Sequence, residues 1–139
     1  MNREASELPG PVRAFEAELS STRVGARLAR LLAESRLRSW GLSLDGAPLV
    51  VAEPAANAAL HGSSDRQGFR LALTVTASAL RIEVSDTAGH RVPGTREPDE
   101  DAESGRGLLL VEALADHWGV TSGPPPGKTV WAEMFLPSE

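Results

Sequence analysis

The sequence predicts an α+β fold, a two-layer sandwich in which three helices cover one face of a mostly antiparallel mixed sheet. Two consecutive stretches of helical period are followed by two of alternating period joined by a short turn. A third apolar helix then leads into closing strands. The order β-α-α-β-β-α-β-β, with a long aperiodic insertion before the last helix, leaves the second sheet face for solvent or a partner.

Residues 1–11 are polar and end in Pro9-Gly10-Pro11, which reads as a flexible tail ahead of a single domain spanning 12–139. Val12 to Leu19 alternates imperfectly and fits a short strand at a sheet edge. From Ser21 or Thr22 to Ser39, Val24, Leu28, Leu31, Leu32 and Leu37 recur at spacings of three or four, facing away from Arg23, Arg27, Arg30 and Arg38. That is the pattern of an amphipathic helix, capped by Ser21 or Thr22 and ended by Gly41 in a left-handed conformation. Asp45 is expected to cap a second helix that accepts Pro48 in its first turn and stops at Gly62. Strands follow at Phe69–Thr76 and Leu80–Ser85, joined across Ala77-Ser78-Ala79. Residues 87–104 show neither period, and a loop of that length in a compact domain reads as a lid. Gly107 to Asp116 forms the third helix. Val120-Thr121 and Thr129–Leu136 close the sheet around Gly123-Pro124-Pro125-Pro126-Gly127.

Composition narrows the function classes. Hydrophobic content of 41% and charged content of 24% are ordinary for a soluble domain, and 139 residues suffice for one real core. A net charge of −5 disfavours unspecific binding to nucleic acid or an anionic membrane. Without cysteine there are no disulfides, thiolate metal sites or cysteine nucleophiles. The N-terminus has no signal-peptide pattern, and no segment approaches the ~20 apolar residues that cross a bilayer, so the expected location is the cytoplasm.

Three separated segments carry chemistry. Glu53, Asn57 and His61, at intervals of four, share one face of the second helix. An amide oxygen from Asn57 suffices as the protein ligand of a Mg²⁺ ion that keeps its waters and binds nucleotide phosphates. Glu53, one turn away, is placed to accept a proton in phosphoryl transfer. Asp86 ends a strand whose other inward residues are apolar. Its ionised carboxylate only accepts hydrogen bonds, so it can take one from an adenine amino group. Gly105 and Gly107 bracket Arg106 ahead of Leu108 at a helix start, where free amides and absent side chains admit phosphate. Read singly, these segments also fit a solvated helix face, a turn aspartate before Gly89 and an ordinary loop-to-helix junction.

Taken together, the stretches Leu49 to Gly62, Ile82 to Gly89, Glu103 to Val111 and Gly127 to Ala132 resemble the Bergerat-type ATP-binding domain of gyrase, MutL and histidine kinases. The similarity is greatest to the small anti-sigma-factor serine kinases of bacteria, and it covers nearly the whole domain. The resemblance implies ATP and Mg²⁺ under a mobile lid at 87–104. It gives Glu53 the role of general base and Asn57 that of magnesium ligand. His61, Asp86, Gly89, Gly105, Arg106, Gly107, Leu108 and Thr129 are the further ATP-binding residues, with Asp86 reading the adenine and Thr129 beside it. It further implies serine/threonine phosphorylation of an anti-anti-sigma protein, sequestration of a sigma factor and a homodimer.

Two residues depart from that pattern. Pro54 removes the helical hydrogen bond to residue 50 and is expected to kink the helix beside Glu53. Ala88 stands where the family often has glycine. The acidic run Asp99, Glu100, Asp101 and Glu103 would repel a triphosphate at close range. These features support the alternative of a nucleotide-dependent or degenerate protein-binding switch of the same fold without kinase activity.

Overall fold

The computed structural model describes residues 13–62, 68–86, 108–122 and 128–137. Five strands form one sheet: β1 (Arg13–Ser20), β2 (Gly68–Val75), β3 (Ala79–Asp86), β4 (His117–Ser122) and β5 (Lys128–Phe135), in the order β1-β2-β3-β5-β4. All four pairings are antiparallel, so the expected mixed sheet has no parallel ladder among the described residues. Alternation sets the faces. Phe69, Leu71 and Leu73 of β2, Leu80 and Ile82 of β3, and Ala132 and Met134 of β5 point into one buried layer. The expected tail (1–11), lid (87–104) and proline turn (123–127) lie outside the described residues.

The helices among the described residues are α1 (Arg23–Ser39), α2 (Ala47–Gly62) and α3 (Leu109–Leu114). The N-cap of α1 is Thr22, whose hydroxyl accepts from Gly25 N at 3.0 Å. At its other end Gly41 takes φ 75°, while Gly41 N donates to Arg38 O and Leu42 N to Leu37 O. This paired closure satisfies two terminal carbonyls and requires the left-handed glycine.

The buried side of α1 differs from the expected stripe. Gly25, Ala29, Ala33 and Leu37 face inward, whereas Val24, Leu28 and Leu31 are 63%, 44% and 47% exposed. Small residues let α1 pack close to α2 and β1, and a leucine there would hold the elements apart. The large apolar residues are thereby turned outward.

In α2, Val50 N donates to Gly46 O, so Gly46 takes the cap position expected of Asp45 and the helix starts at Ala47, with Pro48 in the first turn. The helix then continues through Pro54 to Gly62. The proline is buried and costs the bond to Val50, yet Val50, Val51 and Ala55 around it are fully buried, and their packing carries the segment. Helix α3 is shorter than the expected 107–116. It ends at Ala115, whose backbone is extended (φ −88°, ψ 149°), and Asp116 N then joins Glu133 O at 2.8 Å.

The opposite sheet face is polar. Arg81 donates to Glu83 (2.8 Å) and Glu133 (3.0 Å), and its guanidinium stacks over the Trp131 ring at 4.6 Å. Burial lowers the Arg81 pKa, but the hydrogen bonds and charges of the two glutamates outweigh it and hold it above its ordinary value. Trp131 lies against Gly119, where a Cβ would come within 2.9 Å of the ring.

Candidate functional site

Helix α2 presents Glu53 and Asn57 one turn apart, both half-buried. Glu53 faces α3: its Oε1 accepts a hydrogen bond from Val111 N at 2.9 Å, across 58 residues of sequence. This contact joins the segment carrying Glu53 and Asn57 to the segment beginning at Leu108. His61 falls in the last turn of α2. Leu108 itself is buried, so its side chain belongs to the core, and any contact with a ligand falls to its backbone.

Asp86 is the last residue of β3 and is paired in register with Phe69. By alternation it shares a face with Leu80, Ile82 and Val84, which puts its carboxylate on the helix-covered side at the edge of the core. Thr129 is placed differently. It pairs with Ser85, and the two hydroxyls lie 2.8 Å apart. Its strand parity is opposite to that of Ala132 and Met134, so the sheet stands between the Thr129 side chain and Asp86. The described geometry thus brings Glu53 to the start of α3, with Asn57 one turn further along α2, and sets Asp86 on the same side of the sheet. Thr129 is directed away from that group. Gly89, Gly105, Arg106 and Gly107 lie outside the described residues.

One participant carries no side-chain signature in the sequence. The backbone N–H of Val111 is invisible to motif reading because every residue but proline has one. An indirect sign exists: Leu108, at the N-cap of α3, has no oxygen with which to cap it, so an acceptor had to come from elsewhere.

The donor set favours oxygen chemistry. A neutral amide at Asn57 suits a hard cation whose other ligands are waters and phosphate oxygens. The carboxylates of Glu53 and Asp86 can accept protons or hydrogen bonds. Among the described residues no group of three or more His, Cys, Asp or Glu is arranged to hold a metal on its own, and no helix is long and apolar enough to cross a membrane.

Comparison with known proteins agrees with this geometry. Residues 15–134 match the family described as the histidine kinase-like ATPase domain. The fold is similar to the crystal structure of the RsbU and RsbW domains of Rv1364c from Mycobacterium tuberculosis, with a TM-score of 0.70 at 21% identity. That match covers 93% of this chain and 34% of the other, so the chain spans about a third of that longer protein. A search of curated proteins finds no match.

Proposed function

The chain belongs to the histidine kinase-like ATPase domain family, and from that premise we propose that it binds ATP with Mg²⁺ and acts as an anti-sigma regulatory serine/threonine kinase. Its acceptor is an anti-anti-sigma protein, and its regulatory target is a sigma factor that it sequesters. The similarity to a structure containing an RsbW domain supports the regulatory part of this reading. The observation that carries the chemical part is the 2.9 Å contact from Glu53 to Val111 N, which brings the acid and amide of α2 against the helix that follows Gly105-Arg106-Gly107.

In this reading Asp86 accepts a hydrogen bond from the adenine 6-amino group, where guanine bound in the same pose would present an acceptor carbonyl instead. Backbone amides between Gly105 and Leu108 hold the phosphates. Asn57 would supply the protein oxygen for Mg²⁺, which when bound neutralises phosphate charge. Glu53 takes the proton from the acceptor hydroxyl as its oxygen bonds to the γ-phosphorus and the bond to the leaving ADP oxygen breaks. The remaining task of the protein is positioning.

The engaged state of Glu53 favours one second reading. With one oxygen held by the Val111 N–H, the Glu53 carboxylate already ties two helices together, as befits a switch that binds nucleotide and partners without transferring phosphate. Calorimetric titration with Mg²⁺-ATP and Mg²⁺-ADP tests the shared premise. Both are expected to bind, and Asp86→Asn should weaken ATP by about 1–3 kcal/mol, the scale of a lost charged hydrogen bond. Absence of heat with either nucleotide would leave the fold as a scaffold only.

A further inference from the structure

We propose that Glu53 is a positioning residue: its carboxylate fastens the first turn of α3 to α2 and fixes where the chain enters that helix, whatever part it also takes in proton transfer. The helix has little of its own to hold it. It has six residues, fewer than an isolated helix needs, and its N-cap residue makes no side-chain capping bond. Leu109 and Leu110 are exposed, leaving Leu108 and Val111 as its buried anchors at this end.

The first bond inside the helix runs from Glu112 N to Leu108 O, so Val111 N, one residue earlier, needs an outside acceptor. Glu53 Oε1 provides it at 2.9 Å. A carboxylate at a helix N-terminus is the favoured acceptor, because the charge strengthens the hydrogen bond and opposes the helix dipole. Capping of this kind normally comes from the residue just before the helix. Here it comes from α2, whose inward side at Val50, Val51 and Ala55 is fully buried and so gives the carboxylate a rigid base.

Two properties of Glu53 are therefore separable by substitution. Glu53→Gln keeps the length and an acceptor oxygen but removes the basic carboxylate. Glu53→Asp keeps the charge but is shorter by one methylene and loses the reach, and Glu53→Ala loses both. Amide hydrogen exchange at Val111 reads the tether directly. Relative to wild type it should accelerate roughly tenfold or more in Glu53→Ala and Glu53→Asp, the scale of a charged hydrogen bond. In Glu53→Gln it should stay within a few-fold. Unchanged exchange at Val111 in folded Glu53→Ala or Glu53→Asp protein overturns the proposal.

The second readout rests on the proposed nucleotide function. Mg²⁺-ATP should bind Glu53→Gln nearly as well as wild type while its phosphoryl transfer is lost, whereas Glu53→Ala and Glu53→Asp lose affinity as well. Equal affinity for ATP in Glu53→Ala and Glu53→Gln would contradict a positioning role. Should wild type bind no ATP, the functional reading fails, and the exchange measurement still decides the tether by itself.

Discussion

Gly25 has no room for a side chain: a Cβ there would stand 1.9 Å from the carbonyl oxygen of Ser20. The contact is with backbone, so relief requires moving either β1 or the first turn of α1. Gly25→Ala is expected to destabilise the fold by more than about 2 kcal/mol, although alanine is the better helix former, and the denaturation midpoint should fall accordingly. Nothing in the sequence around Gly25 marks this, because the clash depends on how the chain turns between Ser20 and Thr22. Asp86 is the opposite case. Its place at the end of an alternating apolar strand gave both its face and its depth, and the structure puts it there. Thr129 shows the limit of such reading. Its motif was visible, but whether it faces Asp86 or Ser85 depends on the register between β3 and β5, which pairs residues 44 apart.

At the scale of elements, the eight among the described residues were legible in kind and order, and their ends were less so. Hydrophobic periodicity found α1 but favoured Val24, Leu28 and Leu31 as its apolar face, since large side chains dominate such a pattern. The buried face is instead Gly25, Ala29 and Ala33, because the distance between packed elements is set by the smallest residues at the contact. Ala33→Leu would add an isopropyl group to Cβ in a position with 0% exposure. It should cost about 1–3 kcal/mol by overpacking, read as a lowered midpoint with an unchanged m-value. Exposed Leu28→Ala should cost far less. If Leu28→Ala proved the more damaging substitution, the assignment of the inward face would be wrong. Helix α2 teaches a related point about Pro54. Proline was expected to kink the helix, and the loss is local to Val50, while the burial that holds the segment is spread along a whole face. Helix α3 is short for the converse reason: Val111 is its one buried residue, beside the buried cap residue Leu108, and an acceptor is supplied from outside.

Across the described residues, helices cover one sheet face, and the other carries the cluster of Arg81 with Glu83, Glu133 and Trp131. The nucleotide site proposed here is assembled from the covered side. Its three parts come from α2, the end of β3 and the approach to α3, and the order of these segments in the sequence was enough to anticipate the family. What brings two of them into contact, the bond from Val111 N to Glu53, joins residues far apart in sequence and became visible only in the fold. Two proposed tasks therefore meet at Glu53, which holds α3 and also serves the transfer of phosphate. The most direct test is single-turnover transfer of the γ-phosphate from labelled Mg²⁺-ATP to a serine of an anti-anti-sigma protein offered as acceptor, with wild type and Glu53→Gln at saturating nucleotide. Wild type should yield phosphoserine, and Glu53→Gln should bind ATP equally and yield at least about a hundredfold less, the usual contribution of a general base. Equal transfer by both proteins, or ATP bound by wild type with no transfer to any acceptor, would contradict the catalytic role assigned to Glu53.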